Sequence, residues 1–292
     1  MKINTYYLGG YHLRVLVYGT GTMGKGISQI FAQNDHKVLL YNPNIESSKR
    51  ALVSLDNGFE KLVTKGKLSV ENKNNFLNNI EIIDSLEKAS DVDLAIEAVS
   101  ENMEIKKSKF AEMDELINSK AILATNTSSL SITELALVTT RPDKVVGMHF
   151  FNPAPIMELV EIINGMTTST ETIDFAQSLS KKLGKKPVLV EEAPGFIVNR
   201  MLIPMINEAV SIYSECVATI EDIDTAMKSG ANHPIGPLAL ADLIGLDVCL
   251  NSMDILHTEF GLDKYTAHPL LRKMVRANKL GRKTREGFYK YY

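Results

Sequence analysis

Two apolar runs flank the turn-forming NPAP in VVGMHFFNPAPIMELVEII, and folding them back about Pro155 sets His149 opposite Glu161. A carboxylate beside an imidazole fixes its tautomer, makes it more basic and stabilises the imidazolium formed during proton transfer. The pair therefore suits general acid/base work near neutral pH. Taken alone, His149 reads as a satisfied strand histidine and Glu161 as a surface carboxylate; their joint placement in a chain with a dinucleotide turn favours the chemical reading.

That turn is GTGTMG, with Gly19, Gly21 and Gly24 at the GxGxxG positions and Thr22 and Met23 between the last two. It follows an apolar run and opens a helical pattern, the context in which backbone NH groups and a helix N-terminus receive a pyrophosphate. An acidic residue about 20 positions further on usually takes the ribose hydroxyls. Asn42 holds that place. An amide can bond a hydroxyl but does not repel a 2'-phosphate, so NAD is expected with weakened discrimination against NADP.

Two further polar groups lie at element ends. Ser128, in ATNTSSLSI, falls beyond the end of a buried run and before a helix with a Ser131/Glu134 capping box. It reads either as a ligand contact at the carboxyl edge of a parallel sheet or as a turn cap. Asn199, in APGFIVNR, lies one turn into a helix, where an amide is an indifferent helix former but a useful donor to a substrate oxygen. The other histidines have no metal-ligand spacing, and no metal is expected.

The elements that must position these groups are legible from periodicity. Apolar runs at Arg14 to Tyr18, Lys37 to Tyr41, Glu81 to Ile83, Asp93 to Ala98, Ala121 to Thr125, Lys144 to Phe150, Met157 to Ile162 and Pro187 to Val190 predict buried strands. Helical patterns alternate with most of them, as in Met23 to Gln33, Met103 to Asn118 and Glu171 to Leu183, which predicts a mainly parallel α/β sheet. The asparagine-rich ENKNNFLNN reads as a solvated helix end or loop. Beyond Pro194 the pattern is helical only, over Phe196 to Tyr213, Ile220 to Met227, Leu238 to Phe260 and Leu270 to Ala277. The EEAPG stretch divides the chain, giving domains over residues 1–192 and 193–292.

Composition is that of an ordinary globular chain. Over 292 residues, 23% are charged and 45% hydrophobic, and 32 basic against 35 acidic residues leave a net charge of -3. Such a balance argues against a general nucleic-acid or anionic-membrane binder. The opening segment lacks the apolar core of a secretory signal and the arginine-rich pattern of a transit peptide, and no run is long enough to span a membrane. Cys216 and Cys249 belong to no CxxC and read as core residues in a reducing, cytoplasmic setting.

With these residues in view, the sequence resembles the L-3-hydroxyacyl-CoA dehydrogenase family. The strings that carry the likeness run along the chain: GTGTMGKGI, IEAVSENMEIK, ATNTSSLSI, GMHFFNPAPIMELVEII, APGFIVNR, INEAV, GANHPIGPLALADLIGLD and GRKTREGFY. The resemblance implies a Rossmann-type N-terminal domain, an all-α C-terminal domain that pairs two subunits, and interconversion of a short-chain 3-hydroxyacyl-CoA with its 3-keto form using NAD. It implies that His149 is the base, Glu161 its orienting partner, and Ser128 and Asn199 the polar groups around substrate and nicotinamide. It places Glu101, Lys106, Asn152 and Lys283 with the cofactor, and the Lys61, Lys65 and Lys67 segment with coenzyme A. Lys65 is the contact taken from that cluster, which also fits a solvated helix face.

Three features depart from the family pattern. Asn42 replaces the usual aspartate, Gly58 offers no side chain where some members have a polar coenzyme A contact, and Arg285 stands where GRKTGxGF has glycine. Extra residues also precede the first strand. A dehydrogenase of a free hydroxy acid or sugar acid, and a non-catalytic NAD-binding protein like the lens crystallins that resemble this family, are the competing readings. The intact Ser128, His149, Glu161 and Asn199 set argues against the latter.

Overall fold

The computed structural model describes residues 12–292, so the extra residues ahead of the first strand fall largely outside the described residues. The chain divides into two compact units, the first ending at Ala193 and the second running over Pro194–Tyr292.

Eight strands are present among the described residues of the first unit. They are β1 (Arg14–Tyr18), β2 (Lys37–Tyr41), β3 (Ile80–Ile83), β4 (Leu94–Glu97), β5 (Ile122–Thr125), β6 (Val145–Phe150), β7 (Leu159–Asn164) and β8 (Lys186–Glu191). They form one sheet in the order β3-β2-β1-β4-β5-β6-β7-β8. All neighbouring pairs run parallel except β6 and β7. The order β3-β2-β1-β4-β5-β6 is the doubly wound dinucleotide-binding arrangement, whose crevice lies where the chain reverses between β1 and β4.

Helices α1 (Thr22–Gln33), α2 (Ile45–Thr64), α3 (Val70–Asn78), α4 (Met103–Leu116), α5 (Ile132–Ala136) and α6 (Thr170–Lys182) connect the strands. Helix packing explains why the central strands read as unbroken apolar runs, since Val15, Val17, Val38, Leu40, Val146 and Met148 share one core with Ile27 and Phe31 of α1. The sequence also marks the helix starts. Asn44, Ser69, Asn102 and Ser169 each accept a bond from a first-turn backbone NH, satisfying a donor that the helix cannot.

The second unit is helical: α7 (Val198–Ser214), α8 (Ile220–Gly230), α9 (Pro237–Ile244), α10 (Leu246–Phe260) and α11 (Pro269–Arg276). Ile206, Val210, Leu238, Leu246, Met253 and Leu271 build its core. Its last residues are pinned by a buried carboxylate, as Asp242 accepts from the backbone NH groups of Phe288 (2.9 Å) and Tyr289 (2.8 Å) and from the Tyr291 hydroxyl (3.0 Å).

Several local expectations need correction. The continuous helix expected over Leu238 to Phe260 is two helices broken at Gly245, whose φ of 107° no helix can contain. The asparagine-rich segment forms α3, capped by Ser69. Strand β7 begins at Leu159, not Met157, because Ile156 and Met157 belong to the exposed end of the turn. Ser131 caps α5 as expected, accepting from the Glu134 NH (3.1 Å), but the Glu134 carboxylate meets Lys107 at 2.5 Å. Cys216 is exposed with φ 57° in the turn after α7, while Cys249 is buried and its thiol is pushed up to about 12 by burial.

Arg285 lies at φ 63° in the left-handed region, which explains why glycine suits this place. A non-glycine residue there costs about 1–2 kcal/mol, and the greater freedom of glycine in the unfolded chain returns about half of that. Arg285→Gly is expected to stabilise the protein by about 0.5–1 kcal/mol, read as a higher urea midpoint at unchanged slope. An unchanged or lower midpoint counts against a strained position.

Candidate active site

The glycine turn joins β1 to α1. Gly19 has φ 122°, and a methyl group on it would sit 2.4 Å from the Ala98 carbonyl oxygen; one on Gly24 would sit 1.9 Å from the carbonyl oxygen of Gly19. Both are demanded by the packing of protein on protein. At Gly21 nothing among the described residues lies within 4 Å, so the second glycine leaves open space at the start of α1. That helix has no side-chain cap and no acid in its first turn, and its leading NH groups around Gly21, Thr22 and Met23 suit a pyrophosphate. The turn therefore fits a dinucleotide. Asn42 follows β2 directly, donating to Thr20 Oγ1 (3.2 Å) and accepting from the Asn44 NH (2.9 Å).

A buried charge network occupies the same edge of the sheet. Glu97, at the end of β4, and Lys106, in α4, have side chains 0% and 1% exposed. Lys106 Nζ donates to Glu97 Oε1 (2.8 Å) and Oε2 (2.9 Å) and lies 3.3 Å from Glu101 Oε2. Glu97 also accepts from Thr125 Oγ1 (2.7 Å) and the Val99 NH (2.6 Å). Glu101 in turn holds the loop after β5, accepting from the Ser128 NH (2.7 Å), Ser128 Oγ (3.0 Å) and Thr127 Oγ1 (2.7 Å). Burial disfavours charge on Glu101, but the Lys106 ammonium and these bonds outweigh it and hold the carboxyl below its usual range.

His149 and Glu161 are register partners across the antiparallel β6–β7 pair, and His149 Nδ1 lies 2.7 Å from Glu161 Oε2. The residues are 6% and 1% exposed. A carboxylate only accepts, so Nδ1 carries the hydrogen and Nε2 is left as the basic nitrogen. Phe151 packs against the imidazole at a tilt of 48°, with ring centroids 4.4 Å apart. The connecting turn is anchored by Lys185, whose ammonium donates to the carbonyls of Ala154 (2.8 Å) and Met157 (2.9 Å). Asn126 Oδ1 accepts from the Phe150 NH (2.9 Å), tying the end of β6 to the Ser128 loop.

The glycine turn, Asn42, Glu101 and Ser128 follow strands at the carboxyl edge of the parallel sheet, His149 is the last residue but one of β6, and Lys106 reaches Glu97 at that edge from α4. Asn152 is exposed in the turn after β6, joined to Pro153 by a cis peptide. Lys65 caps the end of α2 and is exposed with Lys61 and Lys67. Asn199 lies in the first turn of α7, and Lys283 forms an ion pair with Asp247 within the second unit. Sequence reasoning missed Glu97, Thr125, Thr127 and Asn126. The signal for Glu97 was a carboxylate set inside the apolar run DLAIEA, which folding must provide with a partner.

Comparison with known proteins agrees with this architecture. Residues 14–193 match the family described as 3-hydroxyacyl-CoA dehydrogenase, NAD binding domain, and residues 195–291 match its C-terminal domain. The chain is 57% identical over 279 residues to the 3-hydroxybutyryl-CoA dehydrogenase of Clostridioides difficile, covering 96% of this chain and 99% of that protein. It is 43% identical over 278 residues to the enzyme of the same name from Bradyrhizobium diazoefficiens, covering 95% of each. The crystal structure of (S)-3-hydroxybutyryl-CoA dehydrogenase from Ralstonia eutropha superposes with a TM-score of 0.93 at 44% identity, covering 97% of this chain and 100% of that one.

Removing one member of a buried ion pair strands the other, at a cost of about 3–5 kcal/mol. Lys106→Met is expected to lose stability on that scale in urea unfolding, with most of the loss recovered in the Glu97→Gln/Lys106→Met double variant. Equal loss in both proteins would show that the charge pairing is not the cause.

Proposed function

We propose the following reaction for this chain, which belongs to the 3-hydroxyacyl-CoA dehydrogenase family: reversible oxidation of (S)-3-hydroxybutyryl-CoA, or another short 3-hydroxyacyl-CoA, to acetoacetyl-CoA or its homologue with NAD. The observation that carries it is the buried His149–Glu161 pair, set at the same sheet edge as a dinucleotide turn.

NAD(H), when bound, accepts or supplies the hydride at the third carbon of the acyl chain. His149 takes the hydroxyl proton on Nε2 during oxidation and returns it to the ketone oxygen during reduction. Glu161 holds the ring through Nδ1 and stabilises the imidazolium that each direction passes through. Burial and the Phe151 ring keep water from the imidazole, which strengthens that charge interaction.

Gly19, Gly21, Thr22, Met23 and Gly24 cradle the dinucleotide, and Asn42 faces its ribose. Ser128 contacts the substrate oxygen from a loop that Glu101 and Lys106 hold in place. Roles for Asn199 at the substrate and for Asn152 and Lys283 at the cofactor rest on the family resemblance. That of Lys65 at coenzyme A rests in addition on its exposure beside Lys61 and Lys67.

A homodimer formed through the helical unit belongs to the same reading. Met201 and Val217 there are 72% and 68% exposed, apolar surface that a partner would cover. A cytoplasmic setting fits two free cysteines and, among the described residues, the absence of any helix long and apolar enough to cross a membrane.

Purified protein is expected to consume NADH with acetoacetyl-CoA and far more slowly with free acetoacetate. His149→Ala should lower turnover by about 10²–10⁴ while NADH still binds, since a general acid/base supplies an effect of that size. Glu161→Gln should also slow turnover. A loss below about tenfold for His149→Ala removes it as the acid/base, and equal rates with the free acid move the substrate away from acyl-CoA.

A further inference from the structure

The loop that carries Ser128 is held from both ends by carboxylates that lie outside it. Glu101 takes its first half, accepting from Thr127 Oγ1, the Ser128 NH and Ser128 Oγ. Its second half is held by Glu192, a residue that neither the glycine turn nor the acid/base pair uses. Ser131 Oγ donates to Glu192 Oε1, and both the Thr133 NH (3.0 Å) and Thr133 Oγ1 donate to Glu192 Oε2. All three donors are uncharged, and a hydrogen bond to an ionised acceptor is roughly twice as strong as one between neutral groups. The Thr133 NH is moreover one of the leading amides of α5, which the helix itself cannot satisfy.

Glu192 reaches this place from the far side of the sheet. Because β7 runs antiparallel to β6 and β8 parallel to β7, β7 and β8 end at the edge opposite the glycine turn. The Glu192 NH donates to the Asn164 carbonyl at the end of β7 (3.0 Å), which fixes the backbone from which the carboxylate extends. The turn after β7 joins the same cluster, since the Met166 NH donates to Thr133 Oγ1 (2.8 Å). Ser131 accepts from the Glu134 NH (3.1 Å) while giving its own hydrogen to Glu192, so its hydroxyl is oriented on both sides.

Between the residues held by Glu101 and those held by Glu192 lie only Ser129 and Leu130, and the Leu130 NH is itself bound to Thr127 Oγ1 (3.0 Å). So short a segment has no slack, and a shift at the start of α5 is passed on to Ser128. Rate depends steeply on such placement, as a displacement of about 1 Å can cost about 10²-fold.

We propose that Glu192 is a positioning residue for the reaction: by pinning Ser131 and Thr133 it sets where the Ser128 hydroxyl meets the substrate oxygen. The proposal rests on the substrate role given to Ser128 above and adds a residue that acts through it.

A double-variant cycle in kcat/KM for acetoacetyl-CoA, with NADH affinity measured by fluorescence titration, separates positioning from general support of the fold. Glu192→Ala is expected to lower kcat/KM about tenfold or more, while the NADH Kd changes less than about threefold. In a Ser128→Ala background the same substitution should cost less than about threefold, because the group it positions is gone. Glu192→Gln keeps the shape and one acceptor oxygen; it should lie between wild type and Glu192→Ala with the same coupling to Ser128, so the test survives an alanine variant that does not fold. A loss below about tenfold for Glu192→Ala, or a loss as large with Ser128→Ala as without it, overturns the positioning role and leaves Ser128 at the substrate. Wild-type rates in Ser128→Ala itself overturn the substrate role of Ser128, and the proposal falls with it.

Discussion

A carboxylate buried inside an apolar strand is tolerable only where folding delivers a donor to it, and in this protein the donor for Glu161 is His149. The pairing constrains more than two side chains. A slip of one residue between β6 and β7 would turn every side chain to the opposite face, leaving Glu161 without its partner and pushing Ile162 and Val160 out of the core. Gly147 reinforces the register, because a side chain there would come within 2.7 Å of Ile163, its neighbour across the pair. The one antiparallel step in the sheet thus has a single acceptable alignment, and that alignment sets the geometry of the His149–Glu161 pair.

The second constraint is topological. Parallel strands place all their carboxyl ends on one edge, so loops far apart in sequence gather there without long-range design of each contact. The glycine turn, Glu97, Glu101, Ser128 and His149 come from the ends of four different strands, β1, β4, β5 and β6. Their positions are then trimmed by a chain of charge and hydrogen bonds running from Thr125 through Glu97, Lys106 and Glu101 to Ser128. Asn126 extends the connection to the backbone NH of Phe150 in β6, the residue next to His149. Lys106 is therefore a brace for the Ser128 loop, and its lack of exposure reflects that role.

The departures from family pattern divide by mechanism. Arg285 sits in the left-handed region on an exposed turn, where the backbone bears a local cost and the Asp242 carboxylate still secures the residues that follow. Asn42 leaves the end of β2 without charge and serves its own loop, donating to Thr20 and accepting from the Asn44 NH. Gly58 lies exposed in α2 with open space around it, so the lack of a side chain there leaves the packing of the helix undisturbed.

Much of the fold was legible in the residues, since strand runs, helix caps and the change to an all-helical second half follow from hydrophobic periodicity and local hydrogen bonding, which act over a few neighbouring positions. The symmetric spacing of His149 and Glu161 about Pro155 is of the same kind: a hairpin makes sequence distance into spatial pairing. Tertiary structure alone decided what depends on distant segments. Glu97 and Lys106 find each other because β4 and α4 pack, Lys185 secures a turn some thirty residues before it, and Gly245 breaks a helix that amphipathic pattern would continue. Each of these exists only once distant segments have been brought together, because packing and electrostatic energies are functions of distance in space, not of spacing along the chain.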